Sequence, residues 1–315
     1  MSRYLKQQPL SFQLIVIIGI YIGLNAIYYL LFMGFLMPHW TGITAFDLQN
    51  GDLKNAYLLE VMKWMQMLYS VFTFLVPALI FFYLSDPEPL RYGGFRGNFR
   101  LTGAMMSIVV LLLAMPAVGV LGDWNQHIHF GSLDQTFRQL NQKATDLTNA
   151  MLQMKSWGSM WYDMVLIAVI PAIAEEAFFR GVLQRLFIRM SKRAWIGILI
   201  ASVVFSLLHA EMLGFFPRAA LGIVLGLIYY FSGNIWYSIL AHFINNGLQV
   251  FLLFLFQHHY IKYNINTNEP TPLIAGIISF AVVIGLFIVF WKFIKQYPVP
   301  GIFAKQAGNR ELPLT

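Results

Sequence analysis

The chain of 315 residues contains no cysteine. That removes disulfides, thiol nucleophiles and thiolate metal sites from consideration and leaves the compartment open. Charge is nearly as scarce: 11% of residues are Asp, Glu, Lys or Arg, against about 25% in a soluble globular domain. With 58% apolar residues and a mean hydropathy of +0.63, this is the composition of a polytopic membrane protein. Strand-like alternation of a membrane barrel is absent, and so is an internal repeat of the kind many carriers show. The net charge of +7 does not signal nucleic acid, because the basic residues are dispersed at helix ends and no basic patch interleaves aromatics. Gly-x-Ser-x-Gly is missing, which leaves a serine nucleophile unsupported, and His-Glu-x-x-His is missing too.

What is present is a series of apolar runs of bilayer length. They predict an all-α, polytopic helix bundle with about eight transmembrane helices, at roughly 11–37, 61–84, 101–121, 160–182, 195–213, 217–232, 235–256 and 271–291. The first run is too long for a signal-peptide core and is read as a retained helix. Alternate connections hold most of the basic residues, among them Arg91, Arg96, Arg100, Arg189, Lys192 and Arg193, while the opposite side has Lys54, Arg138, Lys143, Lys155 and Lys262. The bias puts both termini in the cytoplasm, in a multi-pass protein expected in a bacterial inner (plasma) membrane. The whole, 1–315, reads as a single membrane domain with a family-like catalytic core at 158–256, an amphipathic outer segment at 122–157 and a flexible tail at 296–315. In the outer segment Leu133, Phe137, Leu140, Leu147 and Met151 recur at helical spacing, as expected of a helix that covers the bundle or gates a substrate. Two small-xxx-small patterns, Gly19 to Gly23 and Gly222 to Gly226, are expected to pack helices closely within the bundle.

The most informative stretch is Pro171-Ala-Ile-Ala-Glu175-Glu176-Ala-Phe-Phe-Arg180-Gly181, which places two carboxylates and a guanidinium inside an apolar run. Ionisable groups at such depth cost several kcal/mol unless paired, and so mark a functional site. Glu176 and Arg180, four residues apart, share a face and can form an ion pair; Glu175 lies about 100° round the helix, free for chemistry. Further polar groups fall in later spans: His209, at the end of Phe205-Ser-Leu-Leu-His209, and His242 and Asn246 on one helical face. Counting about 1.5 Å per residue through about 30 Å of hydrocarbon brings Glu175, His209, His242 and Asn246 into one band near mid-membrane. Asp163 and Glu211 are expected near the outer edge, in touch with water.

A carboxylate can act as general base on a water, an imidazole can assist and then protonate the leaving amine, and a second imidazole with an amide can stabilise an oxyanion. The set suits hydrolysis of an amide with no cofactor. The same Glu175, His209 and His242 could instead supply three ligands to a catalytic zinc. Two further readings belong to other classes: a non-catalytic membrane scaffold glued by polar groups, and a proton-coupled transporter using these residues as a relay.

Glu175-Glu176-x-x-x-Arg180, Phe205-x-x-x-His209 and His242-x-x-x-Asn246, in that order on successive spans, resemble the three motifs of the CPBP family. That family comprises intramembrane endopeptidases related to the CAAX prenyl protease, also labelled Abi. The resemblance implies that Glu175 and His209 activate water, that His242 and Asn246 stabilise the oxyanion, and that the substrate is a membrane-associated peptide or protein, prenylated in the CAAX branch. The partners so implied are that substrate and the lipid bilayer.

Overall fold

A computed structural model describes residues 4–262 and 270–296. The expected flexible tail lies, beyond Gln296, outside the described residues. Every regular element among them is helical. In chain order the principal helices are α1 (Leu10–Thr41), α2 (Ala56–Ser85), α3 (Leu101–Gln126), α4 (Asp134–Met151), α5 (157–191), α6 (Ala194–Leu207), α7 (Phe215–Ser232), α8 (Ile235–Gln257) and α9 (Leu273–Gln296). Six of the described helical segments are long and apolar enough to cross a membrane, those of α1, α2, α3, α7, α8 and α9. The chain is an integral, multi-pass membrane protein.

The other two expected spans differ in kind. The fourth is α5, whose carboxylates and arginines lower its hydropathy. The fifth, expected over 195–213, is the 14-residue α6, at 1.5 Å per residue only about 21 Å long against about 30 Å of hydrocarbon. The chain turns at its end, with Ala210 in the left-handed region at φ 57°. His209 therefore stands on a turn beyond the helix rather than within a span. Irregular backbone at this depth is tolerated where it lines a polar cavity, as it does here.

The helices are not uniformly α. Wider π turns occupy Tyr28–Leu36, Val71–Leu75, Met164–Val169 and Phe179–Gln184. The first three are each followed, two residues on, by a proline: Pro38, Pro77 and Pro171. Proline has no N–H and its ring crowds the carbonyl four residues back, so a widened turn ahead of it relieves the clash. Pro116 inside α3 is accommodated differently: Ser279 of α9 donates to Leu113 O at 2.5 Å and accepts from Ala117 N at 3.2 Å, filling the interrupted ladder.

Close packing of α5, α6 and α7 depends on two glycines. A Cβ on Gly222 would lie 2.9 Å from Ser202 Cβ, and one on Gly226 would lie 2.8 Å from Gln184 Oε1 and 2.9 Å from Ile198 Cγ2. Their carbonyls accept from α5: Arg180 Nη2 to Gly222 O at 3.2 Å and Gln184 Nε2 to Gly226 O at 2.9 Å. The expectation of packing within the bundle holds for this pair. It fails for Gly19 and Gly23, where an added Cβ would meet nothing within 4 Å, because α1 lies at the edge of the bundle and exposes much of its surface. Trp40, Trp124, Trp161 and Trp195 are exposed near helix ends, as interfacial aromatics are.

Helix α4 packs against the N-terminal half of α2 and against the short turn Met212–Gly214, which follows His209. The C-terminal end of α3 fastens that turn from another side. Asn125, with no exposed surface, donates to Met212 O at 3.0 Å and accepts from Phe216 N at 2.8 Å, while Gln126 donates to Leu213 O at 3.2 Å. Near the start of α5, Asp163 is fully buried and pairs with Lys63 Nζ at 2.7 Å, and Tyr162 donates to Glu60. This corrects the expectation that Asp163 touches water: α2 shields it.

Candidate active site

Glu175 and Glu176 sit in an α-helical stretch, Ile170–Phe178, between the two π turns of α5. Being consecutive, they leave the helix in different directions, and the helices around them give each different surroundings. Glu176, without exposed surface, is engaged on both oxygens: Arg180 Nε lies 3.2 Å from Oε2 as an ion pair, and His242 Nδ1 donates to Oε1 at 3.0 Å. The pairing of Glu176 with Arg180 was foreseen; the bond from His242 was not. Arg180 also lies with Cζ 5.1 Å from the centre of the Phe205 ring, so its charge is met by a carboxylate, a carbonyl and an aromatic face.

Glu175 faces the other way, into a cavity of about 350 Å³ between α5, α7, α8 and the turn after α6. His209, His242, Asn246 and Phe205 line it as well, so the structure brings together all the residues singled out from the three motifs as catalytic. Oε2 of Glu175 is 3.8 Å from Nε2 of His242 and 4.0 Å from Nε2 of His209.

The second nitrogen of each ring sets its protonation pattern. His209 Nδ1 lies 2.7 Å from Phe205 O, one turn back, and a carbonyl can only accept, so Nδ1 carries the proton. His242 Nδ1 donates to Glu176 in the same way. Both rings thus direct Nε2 at Glu175 Oε2. Phe205 holds the rings edge-on, 4.8 Å from His209 and 6.0 Å from His242, centre to centre. On α8, Asn245 Nδ2 donates to Asn246 Oδ1 at 2.9 Å, which leaves the amide group of Asn246 its two N–H bonds for the cavity.

A tetrahedral zinc ion with bonds of about 2.0–2.1 Å holds ligand atoms about 3.4 Å apart. The two Nε2–Oε2 separations here are wider, and among the described residues no group of three or more His, Cys, Asp or Glu side chains is arranged to hold a metal ion.

Sequence reasoning missed Asn245, Gln249 and Arg218, which also line the cavity. Asn245 and Gln249 lie four apart on α8 and could have been found from helical phase. Arg218 gave no such signal, because its place in the cavity depends on how the chain returns from the turn at Ala210.

Comparison with known proteins places the same segment in context. Residues 157–248 match the family described as Type II CAAX prenyl endopeptidase Rce1-like. The match takes in all three motifs and under a third of the chain, and it agrees with the resemblance to the CPBP family, an intramembrane-protease family. The chain is also similar to the uncharacterized protein YpbD of Bacillus subtilis (strain 168), at 35% identity over 85 residues, which is 26% of this chain and 40% of that protein. No solved structure matches.

Proposed function

We propose that this protein is an intramembrane endopeptidase that uses Glu175 and His209 to activate water against a peptide bond, without a covalent intermediate and without a metal. The observation that carries the proposal is the convergence of two imidazole Nε2 atoms on Glu175 Oε2, at 3.8 and 4.0 Å, inside one cavity. Water held there loses a proton to Glu175 as it attacks the carbonyl carbon, and His209 Nε2 is placed to take up that proton and pass it to the leaving amine. The developing oxyanion receives hydrogen bonds from Asn246 and from His242 Nε2–H. His242 can donate there only as an imidazolium, and the Glu176 carboxylate on its Nδ1 is the counter-charge that permits this. Donors of this kind are worth about 3–4 kcal/mol each in the transition state.

The substrate class we propose is a membrane-associated peptide or protein. A prenylated, CAAX-type C-terminus is the first candidate, since the matched family is described by that chemistry. The scaffold and transporter readings lack a comparable observation. The test is to reconstitute the purified protein in liposomes with a tethered, prenylated peptide and its unprenylated counterpart, and to identify products by mass spectrometry. Two fragments formed at the same rate with and without a chelator are expected. Cleavage lost on chelation and restored by zinc would overturn the metal-free mechanism, and intact peptide throughout would contradict the protease.

A further inference from the structure

The one arginine among the residues lining the cavity has no part in the chemistry above. Arg218, in the first turn of α7, shares that lining with Glu175, His209 and Asn246. Its guanidinium is not idle: Nη2 donates to Glu211 Oε2 at 2.6 Å and Nη1 to Glu211 O at 3.4 Å. Three features leave this pair open to exchange with another carboxylate. The cation is the more enclosed partner, its side chain 20% exposed against 38% for Glu211, so the carboxylate is the group that solvent can reach and another ligand can replace. The carboxylate engages a single nitrogen of a fork that matches a carboxylate at two points, so Glu211 leaves donor capacity unused. Finally, the guanidinium lies over Gly214, where an added Cβ would meet Nη2 at 2.9 Å; the bare backbone makes the room the charged group occupies.

We infer that Arg218 is a carboxylate-binding subsite of the cavity, and that Glu211 holds its guanidinium until a substrate carboxylate replaces it. The inference rests on the proposed protease, whose substrate it would select: a peptide that bears a carboxylate near the bond to be cut. That carboxylate has two sources of the same chemistry, the peptide's own C-terminus or an acidic side chain. The turn carrying Glu211 is secured by Asn125 and Gln126 at Met212, Leu213 and Phe216, beyond Glu211 itself. Glu211 can therefore swing away without loosening the residues that hold Arg218.

Binding is measured separately from cleavage. Protein carrying Glu175→Gln is titrated in nanodiscs with one fluorescent peptide sequence in three forms: free C-terminal acid, C-terminal amide, and amide with an aspartate near the scissile position. The acid form is expected to bind at least about tenfold more tightly than the amide, the scale of a charge-assisted bidentate contact. A gain for the aspartate peptide instead would identify the side chain as the source. Adding Arg218→Gln should erase the preference, Arg218→Lys should keep part of it, and Glu211→Gln should raise affinity for the carboxylate form. Equal binding of all three peptides, or a loss on Arg218→Gln that is equal for acid and amide, would overturn the subsite. Neither result depends on whether peptide is cut, so failure here is distinct from failure of the protease reading, which shows as intact peptide with the unmutated protein.

Discussion

Adjacent carboxylates of one helix stand in opposite settings in this protein, Glu176 among charged partners and Glu175 at the cavity. Glu176 has both oxygens committed, to Arg180 and His242, in a site without solvent. Removing one partner of such a pair leaves an uncompensated buried charge, which costs about 3–5 kcal/mol. Arg180→Leu is therefore expected to lower unfolding stability by that amount, measured by denaturant titration in detergent; a change under about 1 kcal/mol would show that the pair is not needed for folding. Asn245 touches its neighbour, and we propose that it acts through that contact. With Asn245→Leu, Asn246 loses the bond that orients its amide, so kcat should fall about tenfold, the lower end of the effect of such supporting contacts, with KM little changed. A rise in KM at constant kcat would make Asn245 a substrate contact instead.

At the scale of elements, the bundle depends on close approach in one place and tolerates openness in another. Gly226→Leu would force a side chain into Gln184 and Ile198, and overpacking of this kind costs about 1–3 kcal/mol. Gly19→Leu meets nothing within 4 Å and should stay within about 0.5 kcal/mol of the parent. Thermal unfolding of the two variants side by side checks the contrast; equal losses would contradict the assignment of α1 to the edge. The sequence pattern of glycines is the same at both positions, which is why it could not tell them apart. Hydropathy and helical phase were enough to locate α5 and α8, to pair Glu176 with Arg180, and to single out four polar groups that line one cavity. They could not reveal that α6 stops at Leu207, since its apolar run continues through the turn, nor that Lys63 of α2 would enclose Asp163. Widened turns ahead of Pro38, Pro77 and Pro171 were likewise invisible to a reading at fixed 3.6 periodicity.

For the molecule as a whole, we propose that the distribution of basic residues sets the orientation in the membrane. Helix α4 packs beside Met212–Gly214, so the turn bearing Glu211 and the segment 122–157 share one face. With both termini cytoplasmic, as we propose, that face is the outer one. The absence of native cysteine makes the test direct. A single cysteine at position 143 (Lys143→Cys) should react with an impermeant maleimide on intact cells, and one at position 96 (Arg96→Cys) only after permeabilisation. The reverse pattern would invert the protein in its membrane and with it the side from which substrate reaches Arg218.

The Glu175 carboxylate is the base that, we propose, activates water. Glu175→Gln keeps size and hydrogen-bonding capacity but removes the basic oxygen pair, so the measurement is the rate of cleavage of a tethered peptide by this variant in liposomes, alongside its thermal unfolding. Cleavage at least a hundredfold slower is expected, the lower end of what a positioned base contributes, with unfolding unchanged within about 1 kcal/mol. Cleavage at the parent rate by a folded Glu175→Gln protein would contradict it.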